Sequence, residues 1–145
     1  MDFKEFTSKT ESLFQKSEYI TLSHMNAKMM TLIKASGFKS NEIFCFIIDA
    51  KPSYELCKRL CDYTKSVTFY SGKHKNSEIC VVIIFSSDSE STAMGSLSAG
   101  RKFDKITCMP FCFNKAEGVL TSFKSAIFSD SKEYLKFYEF LNPNA

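Results

Sequence analysis

Few side chains in this sequence have the type and spacing that enzymes use. His24 and His74 each lie in polar surroundings without a nearby Cys or Glu at ligand spacing, and we interpret both as solvent-exposed. Asp49 ends an apolar segment just before a predicted helix, where α/β enzymes often carry a catalytic carboxylate. A lone Asp there is more typical of a turn. Ser86 and Ser87 lack the glycine flanks of a nucleophile elbow. These residues favour a domain that is not an enzyme.

The cysteines could form disulfides, hold a metal or simply fill the core. They are Cys45, Cys57, Cys61, Cys80, Cys108 and Cys112. Because Cys45 and Cys80 lie inside apolar runs, we expect buried, reduced thiols of a cytosolic protein. A four-cysteine zinc site is the alternative, but structural zinc ligands usually come at tighter spacing in polar turns. The five glycines form no phosphate-cradling loop. We therefore expect no metal and no cofactor.

The bulk composition predicts one cytoplasmic domain spanning residues 1–145. The chain has 145 residues and is 44% hydrophobic, enough for a core at this size. Its longest apolar runs, 43–48 and 79–85, are far shorter than the roughly 20 residues that a membrane span needs. No basic-then-apolar segment near residue 1 predicts secretion. The net charge of +3 permits an acidic partner without demanding nucleic acid.

Hydrophobic periodicity predicts alternating helices and strands. The predicted helices are 3–16, 53–64, 89–104 and 130–141, the last with Tyr134, Leu135, Tyr138 and Leu141 on its buried side. The predicted strands are 42–50, 66–71, 78–86 and 119–128. Three segments are less certain: 17–26 fits a short strand or a loop, 27–36 slightly favours a helix, and Pro110 limits 106–113 to an edge strand or irregular segment.

The connection between 66–71 and 78–86 is decisive for the fold. It is short and polar, with no room for a crossover helix, so the pattern predicts an antiparallel hairpin. Within that hairpin, 79–85 is apolar and β-branched throughout, which is typical of a strand buried on both faces. The sequence thus predicts a mixed sheet of about five strands with helices on its faces.

The predicted helix 89–104 has an unusual composition for a core helix. It is rich in small residues, and Gly95 and Gly100 should each cost about 1 kcal/mol relative to Ala. It leads to Arg101, Lys102 and Lys105, cations that also suit the C-terminus of any helix. Small side chains allow another protein to approach closely, so we expect a protein-binding face here.

Two short motifs in this region carry a family resemblance. Phe85-Ser86-Ser87-Asp88 and Ser98-Ala99-Gly100-Arg101-Lys102 resemble the signature of the actin-depolymerising factor homology domain, the cofilin and glia maturation factor group. The resemblance implies an α+β fold: one domain with a mixed five- to six-stranded sheet and helices on both faces. It also implies that 27–36 is a strand and that 106–118 is an insertion.

The resemblance further implies a monomeric cytoskeletal protein that uses helix 89–105. Its partner would be actin or the actin-related branching complex, and its activity filament turnover or debranching. The implied binding residues are Met94, Ser98, Arg101, Lys102 and Lys105. Ser98 replaces the family's aromatic residue, while Ala93 and Gly95 replace basic residues of cofilins, as is reminiscent of glia maturation factor. This pattern implies weak or absent severing.

A second hypothesis comes from a different class of protein. The chain is also similar to the sulfate-transporter and anti-sigma-antagonist domains, small α/β regulatory domains with alternating strands and helices and a final helix. The two hypotheses differ in the region 66–86. A hairpin there favours the cytoskeletal protein, whereas parallel pairing favours the regulatory domain.

Overall fold

The computed structural model describes residues 1–22, 24–33, 37–38, 42–71, 79–87, 101–103, 106–122 and 131–142. The helices are α1 (Phe3–Glu11), α2 (Tyr54–Ser71) and α3 (Ser131–Leu141). The strands are β1 (Lys16–Leu22), β2 (Met25–Ile33), β3 (Glu42–Ile48), β4 (Ile79–Ser87), β5 (Arg101–Phe103), β6 (Ile106–Asn114) and β7 (Val119–Ser122).

All seven of these strands form one mixed sheet. Six follow the order β1-β2-β3-β4-β6-β5, and β7 pairs with β6. β2 pairs antiparallel with both β1 and β3, while β4 pairs parallel with both β3 and β6. The predicted mixed α+β class is therefore confirmed, and the described sheet has one strand more than the upper prediction.

The core has two layers because helices cover both faces of the sheet. α2 packs on one face, over side chains that include Phe46, Ile83 and Cys108. α1 and α3 pack on the other, over side chains that include Cys45 and Ile84. Alternate residues of a strand point to opposite faces, so a strand covered on both sides is apolar throughout. All seven residues of β3 are buried, and six of them are apolar, the exception being Glu42 at its start.

β4 confirms the prediction for the central strand. Cys80, Val82 and Ile84 face α1 and α3, whereas Val81 and Ile83 face α2. All five are fully buried.

The predicted antiparallel hairpin is wrong. Residues 66–71 are not a strand but the last part of α2, and β4 pairs parallel with β3. The β-branched and aromatic residues of 66–71 favour a strand locally, but a helix that is already packed extends at little cost. Within this helix, the Thr64 hydroxyl donates to the Leu60 carbonyl at 2.8 Å. Because α2 lies between β3 and β4 in the chain and these strands are parallel, α2 is the crossover between them.

The N-terminal predictions need two corrections. The first helix ends at Glu11 rather than at residue 16, because the chain turns at Ser12 and then enters β1. The helical preference for 27–36 is also wrong, since Met25–Ile33 is strand β2. Its apolar residues follow a two-residue period as well as a helical one, and pairing with β1 and β3 decides for the strand.

The segment predicted as an edge strand or insertion is an inner strand of the sheet. β6 pairs with β4 along one side, and with β5 and β7 along the other. Pro110 is tolerated because it falls between the stretch paired with β5 and the stretch paired with β7. Its carbonyl accepts a hydrogen bond from the buried Tyr134 hydroxyl at 2.5 Å.

Two helix predictions are corrected in part. The predicted helix 89–104 is contradicted at its end, where Arg101–Phe103 is strand β5, and its residues 89–100 lie outside the described residues. In α3, Tyr134 and Leu141 are buried and Tyr138 is half-buried, as predicted. Leu135 is instead 56% exposed, and Phe137 takes the buried position.

No described helix is long and apolar enough to cross a membrane.

Candidate functional site at the carboxyl edge of the parallel strands

Three polar side chains meet where the parallel strands end. Asp49 follows β3, Ser86 lies near the end of β4, and Lys115 follows β6. Each continues the alternation of its strand, two residues after Ile47, Ile84 and Phe113 respectively, which face α1 and α3. Period two therefore places all three side chains on the same face of the sheet.

Asp49 is the centre of this cluster, which we call the Asp49 site (Asp49, Ser86 and Lys115). The Lys115 ammonium lies 2.6 Å from Asp49 Oδ1. The Ser86 hydroxyl donates to the same oxygen. The Asp49 side chain is 63% exposed, the Lys115 side chain 33%, and Ser86 is buried. The Asp49 carboxylate is thus largely exposed, whereas Ser86 is buried.

The electrostatics keep the Asp49 carboxylate charged. The hydrogen bond from Lys115, followed by that from Ser86, lowers the pKa of Asp49 below its ordinary value. Both donors interact more strongly with the charged form than with the neutral acid. At neutral pH the site therefore holds a carboxylate, an ammonium group and a neutral hydroxyl.

The loop that carries Asp49 is fixed by the backbone. The Ser86 amide donates to the Ala50 carbonyl at 3.1 Å, and the Ala50 amide donates to the Ile48 carbonyl at 3.0 Å. The Ser53 hydroxyl then accepts from the Leu56 amide at 3.4 Å as α2 begins. A serine hydroxyl that accepts from a backbone amide in the first turn caps the start of a helix.

Lys115 is carried by a tight turn between β6 and β7. The Asn114 side-chain oxygen accepts from the amides of Ala116 and Glu117 at 3.0 and 3.1 Å. Gly118 closes the turn with φ +69°, a conformation that favours glycine. A Cβ atom at Gly118 would lie 2.5 Å from the Met1 carbonyl oxygen, so the N-terminus packs directly on this turn.

The start of α1 completes the surroundings of Lys115. The Lys115 ammonium lies 5.7 Å from the centre of the Phe3 ring. The Phe3 and Phe6 rings lie 5.6 and 4.6 Å from the ring of Phe113. A cation near an aromatic ring is attracted by the ring electrons. Lys115 therefore links the carboxylate of Asp49 to the aromatic contacts that hold α1.

The binding residues implied by the family resemblance lie elsewhere or are not described. Arg101 and Lys102 belong to β5, whose backbone pairs with the amino end of β6. Lys115 follows the opposite end of that strand, so these two basic residues do not join the Asp49 site. Met94, Ser98 and Lys105 lie outside the described residues.

Sequence reasoning considered Asp49 as a turn residue and did not connect it with Lys115. The missing information was the parallel pairing of β3, β4 and β6, which brings their carboxyl ends to one edge. A usable signal was nevertheless present. Each strand is an apolar run that ends in a polar residue at the alternating position, and these three polar types are chemically complementary.

The thiols form a second cluster, inside the core. Cys57 and Cys61 on α2 hydrogen-bond with Cys108 on β6, which together with burial raises the pKa of the Cys108 thiol. All six cysteines are buried and carry free thiols, as expected from their apolar surroundings. Among the described residues, no three His, Cys, Asp or Glu side chains are arranged to hold a metal ion.

No family model, curated protein or solved structure matches the chain.

Proposed function

We propose that the chain is a small α/β regulatory domain, similar to the sulfate-transporter and anti-sigma-antagonist domains, that binds a protein partner at the Asp49 site. The parallel unit β3–α2–β4 carries this proposal, because it replaces the hairpin that the cytoskeletal hypothesis requires. The edge at the carboxyl ends of parallel strands is where open α/β sheets bind their ligands.

The chemistry of the site supports binding rather than catalysis. Ser86 donates to a carboxylate whose pKa is lowered, and such a carboxylate is a weak base toward a serine hydroxyl. Around the site, Lys51, Ala116 and Glu117 are exposed. A rim of mixed charge around a partly exposed ion pair suits electrostatic recognition of another protein.

A comparison of partners tests the proposal. Tagged wild-type chain, Asp49→Lys and Asp62→Lys are expressed in the native cells, and the captured proteins are quantified by mass spectrometry. Asp62 is an exposed residue of α2 and makes a matched charge reversal. We expect a partner that is retained by Asp62→Lys and lost with Asp49→Lys, and that binds the purified wild-type chain. Equal capture by both variants, or no partner at all, would overturn the proposal.

The cytoskeletal hypothesis is the second candidate, with actin or the actin-related branching complex as partner. It is supported by the quoted motifs and by the position of Arg101 and Lys102 in the terminal strand of the described sheet. It requires binding to monomeric actin, filaments or the branching complex in co-sedimentation or equilibrium assays. Lys102→Glu should weaken that binding about tenfold or more, with an unchanged thermal midpoint. A wild type that binds none of the three would exclude this candidate, and undiminished binding by the variant would exclude Lys102.

A further inference from the structure

Asp49 has two properties that bear on what its carboxylate can do. Its side chain is largely exposed, although both of its neighbours are held by the fold. The two donors, Lys115 and Ser86, also converge on one oxygen, Oδ1. Among the described residues, none donates a hydrogen bond to Oδ2. The carboxylate is therefore oriented through Oδ1, while its side chain is 63% exposed.

This arrangement matches the needs of an aspartyl phosphate. An ionised carboxylate is a nucleophile that forms such intermediates in phosphoryl-transfer proteins. Lysine binds phosphate as a compact charge, and a hydroxyl can donate to a phosphoryl oxygen. Both groups already contact the carboxylate, so both lie close to the place where a phosphoryl group would be attached.

We propose that Asp49 is a phosphoacceptor whose carboxylate takes a phosphoryl group from a small acyl phosphate, with Lys115 and Ser86 holding the product. This inference rests on the proposed function, since it names how the Asp49 site is regulated. Asp49 Oδ2 attacks the phosphorus and forms the new P–O bond. The bond from phosphorus to the acyl oxygen breaks, and the acyl group leaves as a carboxylate with that electron pair. No oxidant, reductant or net proton is required.

Phosphorylation would change the surface that the partner meets. The product carries more negative charge than the carboxylate and has three acceptor oxygens. Lys115 would turn from a contact with Oδ1 to the phosphoryl group, and its position beside Phe3 would change with it. The modification would thus change both the charge at the strand ends and the contact between Lys115 and Phe3 of α1.

The test uses the full chain with acetyl phosphate in buffer containing magnesium chloride. Intact-mass analysis should show one added phosphoryl group, removable by hydroxylamine, and borohydride trapping should map it to Asp49. Lysine acetylation by the same reagent gives a different mass and survives hydroxylamine. Asp49→Asn should abolish the adduct, while Asp62→Asn should keep it. Lys115→Met and Ser86→Ala should each reduce its yield about tenfold, as expected for the loss of a hydrogen bond to a charged group.

Beryllofluoride provides an independent measurement, because it imitates a phosphoryl group on a carboxylate without a chemical step. Fluorine NMR should show bound beryllofluoride with the wild type and Asp62→Asn, and none with folded Asp49→Asn. A wild type that takes up neither probe, or an adduct mapped to another residue, would overturn the phosphoacceptor proposal. Partner binding is measured on the unmodified chain. Its failure alone would therefore overturn the proposed function and leave an observed Asp49 adduct as a separate result.

Discussion

Asp49 illustrates how a single residue gains a role from residues far away in the sequence. Its neighbours in the site are 37 and 66 positions further along the chain, at Ser86 and Lys115. Since its folded-state pKa lies below the unfolded value, the ion pair stabilises the fold when the carboxylate is charged. The contribution is complete above the ordinary pKa near 3.8 and is lost as the pH falls through the lower folded-state pKa.

Asp49→Asn should therefore lower the free energy of unfolding at neutral pH and have no effect in acid. Because Asp49 is mostly exposed, the loss should stay below about 1 kcal/mol. Urea unfolding of both proteins from about pH 7 down to about pH 2 measures the difference, because the contribution is lost only below the ordinary carboxyl pKa of 3.8. A difference that is constant or that grows toward acid would contradict the assigned ion pair. Asp62→Asn controls for the loss of an exposed carboxylate elsewhere.

The buried thiols lead to a prediction about reactivity. Burial raises the pKa of the thiols of Cys45 and Cys112, and hydrogen bonds to Cys57 and Cys61 raise that of Cys108. The thiolate is the reactive form, so these residues should react slowly with iodoacetamide in the folded protein. Peptide mapping should find them alkylated rapidly only after unfolding. Rapid alkylation in the native state, a native disulfide, or stoichiometric zinc would contradict the expectation of buried, reduced, metal-free cysteines.

At the scale of elements, the long apolar runs were predicted correctly as strands, whereas a short segment of mixed composition was not. β3 and β4 were predicted within two residues of their ends because they contain six and seven consecutive apolar residues, rich in β-branched and aromatic types, which favour a buried strand. The strand prediction for 66–71 was wrong because the composition of this segment favours a strand, whereas in the fold the segment continues the packed helix α2. Local propensity is weak beside tertiary packing, so this error follows from reading the segment alone.

β6 is a second element whose place in the sheet could not be predicted from its local sequence. Pro110 suggested an edge strand, since proline cannot donate to a ladder. In the structure, two separate strands, β5 and β7, pair with the same side of β6, and Pro110 lies between the stretches that they pair with. Such a division depends on where two other segments end, which no local pattern around Pro110 contains.

Ile83 tests the central position of β4. The residue is fully buried between β3 and β6 on the face covered by α2. Ile83→Ala should cost about 2–5 kcal/mol, because it removes buried methyl groups and leaves a cavity. Val119→Ala provides the comparison, since Val119 is 45% exposed in β7 and should lose no more than about 1 kcal/mol. Equal losses in chemical denaturation would show that β4 is not central.

At the scale of the molecule, the predicted α+β class was right, and the predicted hairpin connection between 66–71 and 78–86 was wrong. The mixed sheet and the helices on its faces follow from periodicity and length. The path of the chain through the sheet depends on whether 66–71 pairs or crosses over, and that one element changes the pairing of β4 from antiparallel to parallel. The candidate site depends on the same element, because only parallel strands bring Asp49, Ser86 and Lys115 to one edge.

The path of the chain also bears on the choice between the two proposed functions. The cytoskeletal resemblance rests on two short motifs. Its implied hairpin is replaced by the unit β3–α2–β4, while its main basic residues lie at the opposite end of β6 from Lys115. What supports the regulatory domain is thus a property of the whole sheet rather than of any one motif.

Backbone NMR of the labelled chain tests this central claim most directly. The structure predicts sequential amide–amide contacts through 54–71, as in a helix, and parallel cross-strand contacts that pair Phe46 with Ile83 and Ile83 with Pro110. Strong sequential α-proton to amide contacts through 66–71, with antiparallel contacts from that segment to 79–86, would contradict the account. They would restore the hairpin and separate Asp49 from Ser86 and Lys115.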